Sequence, residues 1–180
     1  MFGKDELRKK MISLRDNISN KKELSKIISN KIIELDIYKK SQIICLYKAM
    51  ANEVDTEYLI QYSLKNKKTV LLPRVSDNNL VFLKINNDTK FIKSKFKVLE
   101  PVNNPEDIYH GKIDLIICPG VCFDVFKNRM GYGKGYYDRF LQDKDIYKIG
   151  IGFNKQIMNK IPINNLDIKM NLVVTEKTII

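Results

Sequence analysis

IDLIICPG, residues 113–120, is a strongly apolar run that stops at a Pro-Gly turn, and it reads as a strand. Downstream, a helix is expected to start within GKGYYDRFL (133–141), followed by a strand at KIGIGF (148–153) and a last strand in NLVVTEKTII (171–180). Upstream, LVFLKI (80–85) alternates less clearly and suits an edge strand. TVLLPRV (69–75) reads as a strand ended near Pro73, and QIICLYKAM (42–50) as a short buried one. Between them lie helical patterns. Leu7, Met11, Leu14 and Ile18 recur at three and four residues over 4–17, with a charged outer face. Ser19 and Asn20 offer caps for a second helix carrying Leu24, Ile27, Ile28, Ile32 and Leu35, while Asp55 and Thr56 cap a third through about Lys65. Residues 86–110 are polar and loop-rich. Strands separated by helices predict an α/β fold: a single-domain, three-layer sandwich over 1–180, its mostly parallel central sheet flanked by helices. No repeat or linker interrupts it. In such sheets a site lies beyond the carboxyl ends of the strands. Three of those ends carry unusual polar chemistry: Tyr47 to Glu53, Pro73-Arg74, and Pro119 to Asp124.

Composition narrows the function. The chain has 180 residues, 44% of them apolar, enough for a sizeable core, which excludes wholesale disorder. No apolar run reaches about 18 residues, so no membrane span is expected. The N-terminus lacks the apolar region of a secretory signal, and a cytoplasmic location is the expectation. Cys45, Cys118 and Cys122 are too few and too oddly spaced for a disulfide framework or a zinc site, and read as small buried hydrophobes. The net charge of +11 invites a nucleic-acid reading. However, 27 Lys against five Arg, alongside 17 Asn and 25 Ile, is the signature of an AT-rich coding sequence. Arg, the better reader of phosphates and bases, is scarce. A solvated Lys-rich surface is the preferred reading, no nucleic-acid partner is expected, and the positive field suits a small anionic substrate.

The most informative stretch is PGVCFDVFKNRMGYGKGYYDRFL, residues 119–141. Gly131, Gly133 and Gly135 alternate ahead of a helix-like run, leaving backbone N–H groups open to a phosphate, with Arg129 and Lys134 adding charge. Neither common template fits: residue 128 is Asn where a phosphate loop needs Gly, and the third glycine comes one residue early for a dinucleotide fingerprint. Alone, the glycines fit a surface turn about as well. The flank of Arg129, Tyr136, Tyr137, Asp138 and Arg139 favours a site.

Taken whole, this segment resembles the signature of the 5-formyltetrahydrofolate cyclo-ligase family, here PGVCFD followed by RMGYGKGYYDRF. The likeness extends along the chain: Lys4 with Leu7-Arg8, MANEVDT at 50–56, Leu72-Pro73-Arg74, a Glu-Pro turn at Glu100-Pro101, Asp167, and Val174-Thr175-Glu176. Departures are Lys127 where the family has glycine, Lys95 to Leu99 where it has a glycine-containing approach to Glu100, Cys122 for Ala and Met130 for Leu.

The resemblance implies an enzyme that uses MgATP to close 5-formyltetrahydrofolate into 5,10-methenyltetrahydrofolate, through a phosphorylated formyl group (an iminium phosphate), releasing ADP and phosphate. It implies ATP contacts from Lys4, Arg8, Arg129, Gly131, Tyr132, Gly133, Lys134, Gly135, Tyr136 and Tyr137, with Lys134 and Arg129 catalytic. Asp138 and Asp167 become Mg2+ carboxylates; read alone, Asp138 is as readily an ion-pair partner of Arg139 or Lys134. Glu53 would bind the pterin, Lys48 and Met50 line the folate site, and Arg74 contact a phosphate or the glutamate tail. Tyr132 would stack on a ligand. Without the resemblance, Met50 is a core residue and the first helix a solvated amphipathic one. His110 receives no role. The substrate is 5-formyltetrahydrofolate, with a polyglutamylated form allowed, and a monomer is expected, with a dimer as the alternative. A catalytically silent folate or nucleotide binder of the same fold is the second reading.

Overall fold

The apolar runs pair side by side in the computed structural model, which describes residues 3–94, 98–102 and 104–180. In chain order the strands are β1 (Ile43–Cys45), β2 (Thr69–Ser76), β3 (Asn79–Ile85), β4 (Phe91–Lys93), β5 (Leu99–Pro101), β6 (Leu115–Pro119), β7 (Cys122–Asp124), β8 (Arg129–Met130), β9 (Tyr147–Ile151), β10 (Ile157–Met158) and β11 (Leu172–Val174). The helices are α1 (Lys4–Asp16), α2 (Lys21–Glu34), α3 (Asp36–Lys40), α4 (Glu57–Lys65) and α5 (Tyr136–Leu141). The central sheet runs β11-β9-β6-β1-β2-β3, parallel throughout except for the β2–β3 hairpin. β6, the run from which the fold was read, lies between β9 and β1 with Leu115 to Cys118 wholly buried.

Strand periodicity divides those residues between two cores. Ile44, Val70, Leu115 and Ile117 meet Ile28 and Ile32 of α2 and Leu59 of α4. Cys45, Leu71, Ile116 and Cys118 meet Phe123 and Leu141 of α5 on the other face. Each such buried aliphatic side chain contributes roughly 1.5–3 kcal/mol. A third cluster sets Leu7 and Met11 of α1 on Cys122 and Met130 of the small sheet β10-β7-β8. All three cysteines are buried and free, and burial pushes the Cys118 and Cys122 thiols up to about 12.

Several expectations need correction. β2 does not end at Pro73 but continues to Ser76. Its pairing with β1 stops at Leu71, so Pro73 has only β3 beside it, an edge position that tolerates a missing N–H. Asp77 and Asn78, both at positive φ, close the hairpin as a two-residue turn. Only residues 43–45 of the 42–50 run stay in the sheet. In α2, Ile27 turns outward and Ser25 and Ser29 turn inward; Ser25 is satisfied by the Lys21 carbonyl and the Asp55 N–H. Asn20 makes no side-chain cap. At α4 the Asp55 carboxylate accepts the Glu57 N–H at 2.9 Å, while the Thr56 hydroxyl donates to the Tyr47 carbonyl. Glu100 and Pro101 lie in β5, not in a turn. The closing segment is strand only over β11, then folds back so that Val173 and Ile180 exchange backbone hydrogen bonds. Lys127 adopts φ +67°, the left-handed region that favours glycine. Residues 95–97 of the Lys95–Leu99 departure lie outside the described residues.

Candidate active site

Parallel strands deliver their carboxyl ends to one side of the sheet, where the chain leaving β1, the end of β2 and the chain leaving β6 converge. A cavity of about 730 Å³ lies there. Its wall contains Lys4 and Arg8 from α1, Lys48, Met50 and Glu53 from the segment after β1, Arg129 and all of 131–138, and Asp167. Of the residues given a role from the sequence, Arg74 alone is absent from this wall. Pro73 and Val75 line it, so the strand's two-residue period turns Arg74 the other way, and its guanidinium donates to the Pro101 carbonyl at 2.9 Å.

One end of the cavity is cationic. Gly133 (φ +93°) and Gly135 (φ +65°) carry the turn, and a Cβ on Gly133 would lie 3.2 Å from the Arg8 guanidinium carbon. Arg8 Nε donates to the Gly131 carbonyl at 3.0 Å, and its Nη1 pairs with Asp5. Lys4 Nζ lies 2.6 Å from Asp167 Oδ2. Arg129, 5% exposed, donates from Nη2 to Asp138 Oδ1 at 2.9 Å and sits over the Tyr137 ring, while its buried Nε has no partner among the described residues. The Lys134 amine is exposed and unpaired among those residues. Asp138 thus pairs with Arg129, not with Arg139 or Lys134.

The Ile168 N–H donates to Asp138 Oδ1 at 3.1 Å, which sets the segment carrying Asp167 beside Asp138. Each carboxylate keeps one oxygen, Asp138 Oδ2 and Asp167 Oδ1, without a hydrogen-bond donor among the described residues. No cluster of three or more His, Cys, Asp or Glu suited to a metal occurs among those residues. Two carboxylates in the wall of one cavity fit Mg2+, which holds one or two protein oxygens and completes its shell with phosphates and water.

The other end is built around a buried carboxyl group. Glu53, 7% exposed, accepts the Met50 N–H at Oε2 (2.9 Å) and the Tyr132 hydroxyl at Oε1 (3.3 Å). Burial pushes its carboxyl above the usual range, opposed by the Met50 N–H, Arg15 and Tyr132. Burial, then the Glu53 charge, pushes Tyr132 up to about 12. Tyr47 and Tyr137, raised well above the ordinary value chiefly by burial, are neutral phenols in the same wall. Lys48 pairs with Glu57 and lies 4.7 Å from the Phe91 ring centre.

Sequence reasoning missed Arg15 altogether. It is 1% exposed, donates to the Gly120 carbonyl (3.1 Å), to Asn52 Oδ1 (2.7 Å) and to the Tyr132 hydroxyl, and lies 3.9 Å from Glu53 Oε1. A signal was present: Leu7, Met11 and Arg15 are spaced by four, so an arginine occupies the buried stripe of α1. Glu100, matched only as part of a turn, is also in the wall and largely buried. A cationic turn and a buried carboxylate in one cavity suit a polyanion beside a heterocycle rich in N–H donors.

The family model described as the 5-formyltetrahydrofolate cyclo-ligase family matches residues 1–176. A probable 5-formyltetrahydrofolate cyclo-ligase of Caenorhabditis elegans is 31% identical over 191 aligned residues, covering 96% of this chain and 92% of that protein. The Escherichia coli K12 5-formyltetrahydrofolate cyclo-ligase is 32% identical over 139 residues, covering 73% and 76%. Among solved structures, the NMR structure of Aquifex aeolicus 5,10-methenyltetrahydrofolate synthetase matches with a TM-score of 0.84 and 35% identity, covering 98% of this chain and 91% of that one.

Proposed function

The chain belongs to the 5-formyltetrahydrofolate cyclo-ligase family, and from that premise we propose that residues 1–180 act as one enzyme domain closing 5-formyltetrahydrofolate into 5,10-methenyltetrahydrofolate with ATP as phosphoryl donor. The observation that carries this reading is the two-ended cavity, which offers a triphosphate and a pterin adjoining places. A formamide oxygen is a poor leaving group. Transfer of the γ-phosphoryl group forms an O–P bond at the formyl oxygen and breaks the bond between the γ-phosphorus and the oxygen that departs with ADP. Nitrogen-10 then attacks the formyl carbon, its N–H bond breaks with the proton passing to the departing phosphate, and the C–O bond breaks with its electron pair leaving on that phosphate.

Positioning and charge neutralisation are the protein's part. Lys134 and Arg129 offset charge as it shifts among the phosphoryl oxygens. Lys4, Arg8 and the Gly131, Gly133 and Gly135 backbone hold the triphosphate, with Tyr136 and Tyr137 beside them. Asp138 and Asp167 would hold Mg2+, which supplies further positive charge to the phosphates when bound. Glu53 accepts from the pterin's ring N–H and amino group, Met50 and Lys48 flank it, and Tyr132 stands between the two ligands. Arg74 acts indirectly, bracing β5 through the Pro101 carbonyl. The proposal includes a monomeric cytoplasmic enzyme needing no nucleic acid; no helix among the described residues is long and apolar enough to cross a membrane.

Mixing the protein with 5-formyltetrahydrofolate, ATP and Mg2+ should produce the absorbance of the methenyl product, and omitting either ATP or Mg2+ should abolish it. Binding of both ligands without that absorbance would make the protein a silent binder.

A further inference from the structure

Three cations of α1 share one stripe. Positions 4, 8 and 15 are separated by four and seven residues, so the helical period stacks them along one face. Lys4 and Arg8 serve the glycine turn, whereas Arg15 points at the opposite end and is buried among core residues. Burying a guanidinium is unfavourable unless its surroundings use it, and an apolar residue would continue the Leu7–Met11 stripe without that cost.

We propose that Arg15 is a positioning residue for folate recognition, fixing the Glu53 carboxylate and the Tyr132 hydroxyl in one preformed arrangement without itself touching the substrate. The inference rests on the reading of Glu53 as the pterin ligand. Arg15 is absent from the cavity wall and is held from three directions: the Gly120 carbonyl at the end of β6, Asn52 after β1, and Tyr132 on the glycine turn. Asn52 is itself anchored by donating to Asp16 Oδ1 at 2.6 Å, which braces the fork, while Arg15 Nε has no partner among the described residues. Two routes join it to Glu53: the direct approach of 3.9 Å, and the relay in which Arg15 donates to Tyr132 and Tyr132 donates to Glu53 Oε1. The groups facing Glu53 are Arg15 from α1, Tyr132 from the glycine turn, Tyr47 from the chain after β1 and Tyr137 from α5; only Arg15 among them is charged. Among the described residues it is therefore the counter-charge that resists the effect of burial on Glu53.

Arg15→Met should raise the KM for 5-formyltetrahydrofolate, and its Kd measured by calorimetry, about tenfold or more, leaving the KM for ATP within about twofold. The sign of the pH effect follows from the lost positive charge. The Glu53 carboxyl titrates at higher pH, so the acid limb of kcat/KM for the folate moves upward. A merely structural role would lower the amount of active enzyme without moving the limb. In a Glu53→Gln background the same change should add less than about twofold, since Arg15 acts through Glu53.

If Arg15→Met does not fold, Arg15→Lys carries the test: the limb stays in place while the folate KM rises several-fold, because charge is kept and the fork is lost. Equal effects on both KM values, or an unmoved folate Kd in folded Arg15→Met, overturn the inference and leave the proposed function standing. No product and no folate binding in the unsubstituted protein would sink both.

Discussion

At the proposed pterin end Arg15 and Glu53 are nearly sealed from solvent and hydrogen-bonded to Gly120, Asn52, Met50 and Tyr132; at the proposed phosphate end Lys4 and Asp167 keep 28% and 22% of their side-chain surface and Lys134 is exposed. The difference fits what each proposed ligand would bring. A pterin edge is neutral and rich in donors, so the protein must supply the charge and hold it in advance. A triphosphate carries its own charge, and cations parked on carboxylates, as Lys4 is on Asp167 and Arg129 on Asp138, can be re-partnered when it arrives. Salt should therefore weaken ATP binding more than folate binding, since exposed pairs are screened and buried ones are not.

The contrast is broken most severely at Lys134. Lys134→Ala should cut kcat by about 10²–10³-fold, the typical loss of one transition-state donor, with the melting temperature unchanged. An unchanged kcat would remove Lys134 from the chemistry. Next comes Glu53→Gln, which gives up charge-assisted hydrogen bonds worth about 1.5–3 kcal/mol and should raise the folate KM roughly 10–100-fold. The ATP KM should hardly move, and equal rises in both would mean that the two ends are not separate. Gly133→Ala acts on the other end: a Cβ at φ +93° is strained and meets Arg8, so the ATP KM should rise about tenfold with the folate KM unaltered.

The same two ends differ in how far they were legible. The glycine turn is contiguous, and its flanking Arg and Tyr residues announce themselves in one stretch, so a local reading finds it. The pterin end is assembled from α1, the chain after β1 and the glycine turn, which meet only through tertiary packing. Glu53 was reached by resemblance and Arg15 not at all, because a charged residue on an amphipathic helix reads as outer face unless its place in the buried stripe is checked. In the fold, β6 was plain because a strand buried on both faces is apolar at nearly every position. β7, β8 and β10 have two or three residues each, too short for any period to emerge. Pro73 misled because an edge position is a property of the assembled sheet. Ser25 lies in the core because its hydroxyl is satisfied by the Lys21 carbonyl and the Asp55 N–H, a partnership that residue type alone does not announce.

The smallest effect is expected at Lys4, and it separates the two ends most cleanly. Its pair with Asp167 is partly solvated, and Asp167 Oδ2 has the Asn164 N–H at 2.7 Å to fall back on. Such a pair contributes about 0.2–1 kcal/mol. Lys4→Gln should then lower the melting temperature by no more than about 4 °C in a chain of this size. Its effect belongs on ligand binding, as a rise of about fivefold in the KM for ATP, the equivalent of about 1 kcal/mol. Arg15→Met should behave the opposite way in calorimetry, because removing one member of a buried pair leaves Glu53 uncompensated at a cost of about 3–5 kcal/mol. A melting temperature lowered as far by Lys4→Gln as by Arg15→Met would mean that the Lys4–Asp167 pair is a structural clamp, and that the phosphate end is as rigidly prebuilt as the pterin end.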